Sequence, residues 1–164
     1  MIKRKTTPKA NALLKKYGYI SNTVERQYGG FLHDWLGFAD ILGFRVVKDN
    51  GFSVVCSEFV GVDFSGCLAV QCCTSNNLTE HIDKVLNEDT KKGIKRKSDL
   101  KEFLDCGANR FEIWAFPRAD WIKKNPTTKQ EDYLKVRRIF IHDGEFFIMN
   151  KSELSCFGFE SKET

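Results

Sequence analysis

The chain has 164 residues, is 41% hydrophobic and carries a formal net charge of +4. That length and apolar content suit one domain with its own core. No stretch approaches the about 18 consecutive apolar residues that mark a membrane span, and the basic start MIKRKTTPKANALLKK lacks the apolar core and cleavage site of an export signal. The expectation is a cytoplasmic protein with no membrane contact.

Residues 1–16 read as a basic, flexible N-terminal segment, residues 17–150 as one domain and residues 151–164 as a weakly patterned tail. Periodicity predicts a helix over 10–28, bent near Gly18 and ended by Tyr28-Gly29-Gly30, with residues 1–9 outside it. FADILGFRVV, residues 38–47, reads as a strand that Gly43 relaxes, and Asp49-Asn50-Gly51 as a turn into a short strand over 52–60. CLAVQCC, residues 67–73, is an unbroken run suited to a central strand buried on both faces.

A helix follows, capped at Asn76 or Asn77, with Leu78, Ile82, Val85 and Leu86 on one stripe. The charged stretch 89–97 reads as a loop. Ser98 then caps a helix that buries Leu100, Phe103 and Leu104. RFEIWAF, residues 110–116, is a strand with large groups on both faces, ended by Pro117. Residues 133–141 and 145–149 form a hairpin around His142-Asp143-Gly144.

All six cysteines, Cys56, Cys67, Cys72, Cys73, Cys106 and Cys156, are expected to be reduced thiols. A core of this size needs no disulfide staple. Cys72 and Cys73 are adjacent on a strand, so they point to opposite faces and do not share a tetrahedral zinc site.

The chemistry concentrates in two apolar runs. Asp40 interrupts one and Gln71 the other. A buried polar group left unsatisfied costs roughly 1–3 kcal/mol, so two on neighbouring strands call for a shared partner. A divalent cation is one. Mg²⁺ takes oxygen ligands, here the Asp40 carboxylate, the Gln71 amide oxygen and the backbone carbonyl of Cys72, with Glu25 reaching from the preceding helix. Mn²⁺ suits the same donors.

The pieces VERQYGGF, GFADILGF, CLAVQCCTSNNLTEHIDKV and LKEFLDCGANRFEIWAFPR cover roughly residues 22–118. In that order they resemble the PD-(D/E)XK nuclease superfamily, particularly its small phage-type and Holliday-resolvase-like members. The resemblance implies an α/β fold with a restriction-endonuclease-like αβββαβ core, a mixed central sheet flanked by helices. It implies Mg²⁺-dependent cleavage of DNA, in a host cytoplasm if the chain is phage-encoded. The family's helix-borne acid falls on Glu25 and its motif aspartate on Asp40. The acid of the (D/E)XK element falls on Gln71 and its lysine on Cys73, so both positions depart from the pattern. Lys84 and His81, on the following helix, are the candidates to replace the lysine, Lys84 as a charge and His81 as a base or as a hydrogen-bond donor to a phosphate.

Thr74, Ser75, His81 and Arg118 are the candidate DNA contacts, with Trp121 as a stacking surface; Trp114 and Phe116 read as core, and Asp34 competes with Asp40 as the site acid. Basic clusters at Lys3–Lys16, Lys91–Lys101 and Lys135–Arg138 can meet a polyanionic backbone. A small domain that cuts both strands would act as a homodimer. The alternative is a DNA-binding protein without catalysis on a degenerate nuclease fold. A protein-interaction module is the third reading.

Overall fold

The computed structural model describes residues 6–16, 19–24, 26–28, 31–33, 37–44, 47–49, 52–54, 67–87, 96–106, 109–127 and 133–150. Helix α1, Thr6–Lys16, opens the chain. Its Pro8 sits in the first turn, where no intrahelical N–H is lost, and Lys15 and Lys16 sit in the last, where cations suit the helix dipole. Ala10, Leu13 and Leu14 fall on one face and are buried. The segment expected to be flexible therefore supplies part of the core from residue 6 onward.

The expected helix over 10–28 ends at Lys16. Ile20–Thr23 is instead strand β1, and Arg26–Tyr28 and Phe31–His33 are β2 and β3, an antiparallel pair. Pairing overrides the helical periodicity: Ile20, Ser21, Asn22 and Thr23 face Phe44, Gly43, Leu42 and Ile41 of β4, Ile41–Phe44. Ser21 Oγ also donates to Asn11 Oδ1 at 2.6 Å, tying β1 to α1. Gly43 allows this close approach, since a Cβ there would lie 3.1 Å from the Cβ of Ser21.

Of the strand expected over 38–47, Ile41–Phe44 is β4, residues 45–46 lie outside the described residues, and Val47 opens β5, Val47–Asp49, which pairs with β6, Phe52–Val54, in a separate two-stranded sheet. β7, Leu68–Thr74, is the central strand, buried almost throughout. A 3-10 turn, Ser75–Asn77, leads into α2, Leu78–Asn87. α3 is Arg96–Asp105, so it starts before Ser98, which lies inside the helix rather than capping it. β8, Arg110–Phe116, matches the sequence reading. The short helix α4, Ala119–Lys124, was not anticipated.

β9, Lys135–His142, and β10, Glu145–Asn150, form the expected hairpin. Its two turn residues, Asp143 and Gly144, have φ of 51° and 79°. Positive φ at both positions is what a type I′ turn requires, and Asp-Gly is a preferred pair for it.

The main sheet has the order β1-β4-β7-β8-β9-β10. β4 is antiparallel to both β1 and β7, β7 and β8 are parallel, and β9 is antiparallel to both β8 and β10. α2 and α3 lie in the crossover that the parallel pair needs. Alternation along the strands builds two cores. One joins Leu13 and Leu14 of α1 to Ile41, Val70, Cys72, Trp114 and Phe116. The other joins Val85 of α2 and Leu100 and Phe103 of α3 to Ala69, Cys73, Phe111 and Ile113. The protein is thus a mixed α/β fold, a multi-stranded sheet flanked by helices.

Candidate functional site

Asp40 immediately precedes β4 and has no exposed surface. Its N–H donates to Val70 O at 2.9 Å and its carbonyl accepts from Val24 N at 2.8 Å, so backbone bonds fix it on both sides. The ladder between β4 and β7 runs from Gly43↔Leu68 to Ile41↔Val70. Beyond that register, side chain takes over from backbone: Asp40 Oδ2 accepts the Cys72 N–H at 2.6 Å. The carboxylate thereby closes the edge of β7 next to Gln71, which is itself 3% exposed. Arg96 Nε donates to Gly37 O at 2.6 Å and braces the same segment from the start of α3.

Cys73 shares the Gln71 face of β7 and packs in the α2–α3 core. Burial, and then the nearby Asp40 charge, push its thiol up to about 12 from an ordinary 9.0. At neutral pH it is an uncharged thiol and cannot do the work of a lysine. Cys72 lies on the opposite face, in the α1 core, and Cys67, Cys72, Cys73 and Cys106 are all free thiols.

Asp40, Gln71 and Cys72 are therefore brought together. Lys84 is not delivered to that group in the same way. Its Nζ bonds Glu80 Oε1 at 2.5 Å, one turn away on the exposed side of α2. His81 lies half-buried on α2. Glu25 and Asp34 lie outside the described residues, and the helix meant to carry Glu25 has ended before it. Among the described residues, no three His, Cys, Asp or Glu side chains converge as a metal site.

The donors at the β4–β7 junction are nevertheless chemically suited to Mg²⁺ or Mn²⁺. They are hard oxygens, and Mg²⁺ is commonly held by one or two carboxylates, with water and substrate phosphate completing its shell.

Thr74, Ser75 and Arg118 gather at the end of the sheet where β7 and β8 finish. Ser75 Oγ donates to Phe116 O at 3.1 Å, holding the two strand ends together. A cavity of about 370 Å³ opens there, lined by Ser75, Asn76, Arg118, Trp121, Tyr133 and Lys135 among others. A second, of about 560 Å³, adjoins it through Asn76, Arg118 and Asp120 and reaches Thr74. Arg118 Nε meets Asp120 Oδ1 at 3.1 Å. Asp40, at the N-terminal end of antiparallel β4, lies towards this same end of the sheet.

Trp114 and Phe116 are core residues, as expected. Sequence reasoning missed a buried polar network on their face of the sheet. Glu112 and Arg138 are directly opposed on β8 and β9 and are 2% and 3% exposed. Arg138 donates to Glu112 Oε1 through Nε at 3.0 Å and also through a terminal nitrogen, while Trp114 Nε1 donates to Oε2 at 2.7 Å. The available signal was Glu112, a lone acid in the apolar strand RFEIWAF. Arg138 thus leaves the third basic cluster, and Arg96 of the second is committed to Gly37.

Comparison with family models, with curated proteins and with solved structures returns no match. Among the described residues, no helix is long and apolar enough to cross a membrane.

Proposed function

We propose that this chain acts on DNA through a restriction-endonuclease-like core in which Asp40 is the metal-binding carboxylate of a phosphodiester-cleaving site. The observation that carries the proposal is the Asp40–Cys72 bond. It sets a carboxylate from the start of the sheet's second strand against its third, beside Gln71. The layout supports it: a helix, three antiparallel strands, a helical crossover and a fourth strand parallel to the third follow the αβββαβ order.

Asp40 and Gln71 would hold Mg²⁺ or Mn²⁺. A bound ion supplies an activated water and stabilises charge at phosphorus. The protein's own part is orientation. The Cys72 amide fixes the carboxylate's direction, Arg96 braces the loop before it, and the buried surroundings exclude bulk water.

A second reading, DNA binding without cleavage, is favoured by the neutral Cys73 thiol and by the Lys84–Glu80 pair. Plasmid, linear and branched DNA incubated with Mg²⁺ or Mn²⁺, and with chelator, separates the two. Metal-dependent cleavage that Asp40→Asn abolishes, with the melting curve preserved, is the expected result. Absence of cleavage on every substrate leaves the binding reading, and a folded D40N protein that cuts like the parent removes Asp40 from the site.

A further inference from the structure

The cleft at the ends of β7 and β8 has a composition that the cleavage chemistry at Asp40 does not explain. Trp121 and Tyr133 meet with ring centroids 4.3 Å apart and planes inclined at 50°. Tyr133 remains 45% exposed. Arg118 and Lys135 bring two cations, and Asp120 one carboxylate that steadies Arg118 rather than leaving it to roam. Ser75 and Asn76 add short polar groups to the lining. The cavity's about 370 Å³ lies within the roughly 300–1,000 Å³ typical of small-ligand sites.

We propose that this cleft holds an unpaired nucleotide of a single-stranded or frayed DNA segment. Its base lies against the exposed ring of Tyr133, beside Trp121, and its flanking phosphates lie between Arg118 and Lys135. The proposal deepens the reading of the protein as one that acts on DNA. It rests on that reading for the class of ligand but not on the chemistry at Asp40.

The reasoning is chemical. An aromatic ring with an open face offers stacking that any base can use, and cations at its edge match the backbone. Bases inside a duplex are already stacked, so the ring favours a strand that is unpaired. The position suits an open α/β sheet, where ligands bind beyond the carboxyl ends of parallel strands. The adjoining cavity past Arg118, reaching Thr74 and Asn77, gives the next nucleotide a place to lie.

The test is fluorescence anisotropy on the full chain with a labelled oligothymidylate and a labelled blunt hairpin duplex, in chelator so that nothing is cut. The wild type should prefer the single strand. Tyr133→Ala should weaken single-strand binding about tenfold while leaving the duplex unaffected. Lys135→Gln should reduce the slope of log affinity against log salt by about 0.7, the value for one phosphate contact on a single strand. Both residues are exposed, and a melting curve checks that each variant folds.

Unchanged single-strand affinity in folded Tyr133→Ala overturns the proposal. So does equal or tighter binding of free thymidine monophosphate, which would make the cleft a mononucleotide site. Failure of the cleavage reading then appears as uncut DNA with binding intact, and failure of this one as binding indifferent to Tyr133.

Discussion

Asp40 and Glu112 are both closed off from water, yet Glu112 faces an arginine across β9 and an indole two residues along its own strand, whereas Asp40 turns Oδ2 to a backbone amide of β7. A guanidinium neutralises a carboxylate where it sits. An amide orients one without cancelling its charge. The first arrangement is an internal ion pair with an indole N–H on the carboxylate's second oxygen. The second ties a carboxylate to the neighbouring strand through the Cys72 amide. Burial of an acid therefore says little about its purpose until its partners are named.

The largest way to break this contrast is Arg138→Ala. It strands a buried carboxylate, and removing one partner of such a pair typically costs about 3–5 kcal/mol. Denaturant unfolding should show a loss of that order. Joint replacement of Glu112 and Arg138 by leucine and methionine should recover most of it, because a dry apolar pair carries no desolvation penalty. A loss below that of the Asp40 variants would reverse the assignment of roles.

Asp40→Ala comes next. It leaves the buried Cys72 N–H without its acceptor, a cost of about 1–3 kcal/mol. Asp40→Asn retains an oxygen that can accept the same bond, so its loss in a thermal or denaturant melt should be smaller. Equal losses for the two would mean that charge, and not the hydrogen bond, holds the junction.

A subtler effect concerns Cys73. Its thiol is raised from 9.0 to about 12, by burial first and the Asp40 charge second. The unfolded chain loses this proton near 9.0 while the folded chain keeps it. The stabilising contribution is therefore fully present below 9.0 and is lost as pH rises towards about 12. Cys73→Ala should flatten the alkaline fall in stability. In Asp40→Asn, thiolate ultraviolet absorbance should place the Cys73 transition lower than in the parent yet still above 9.0, since burial remains. An unmoved transition would show that the two groups do not sense each other.

The smallest effect belongs to Lys84→Ala. Solvent screens an exposed i,i+4 pair, so melts should barely change. Single-turnover cleavage is the sharper measurement: a rate equal to the parent's confines Lys84 to its pair with Glu80, and a large fall assigns it the charge that Cys73 lacks.

The central strand and β8 were legible because both are long apolar runs, and the β9–β10 hairpin because Asp-Gly sits between two alternating segments. The first thirty residues misled for a physical reason. ISNT carries no strong strand pattern, and its state is decided by partners on β4, more than fifteen residues away. The Asp40–Gln71 neighbourhood was readable as polar groups in apolar runs. The bond to the Cys72 amide was not, since it depends on where β4 stops pairing. Glu112 and Arg138 escaped notice because their register across β8 and β9 is a tertiary fact. Arg138, beside Lys135 and Arg137, looked like surface charge.

The two-residue turn at Asp143-Gly144 also bears on how the sheet comes together in time. It brings β9 and β10 into register across the shortest connection in the sheet, whereas β7 and β8 align only after the intervening chain has formed two helices. Hairpins close in about 1–10 μs, and pairing of distant segments is slowed by the entropy of closing the loop. The edge of the sheet is thus free to organise ahead of its centre. Pulse-labelling hydrogen exchange during refolding should find the amides of β9 and β10 protected before those of β7 and β8, and the reverse order would place the parallel pair in the folding nucleus.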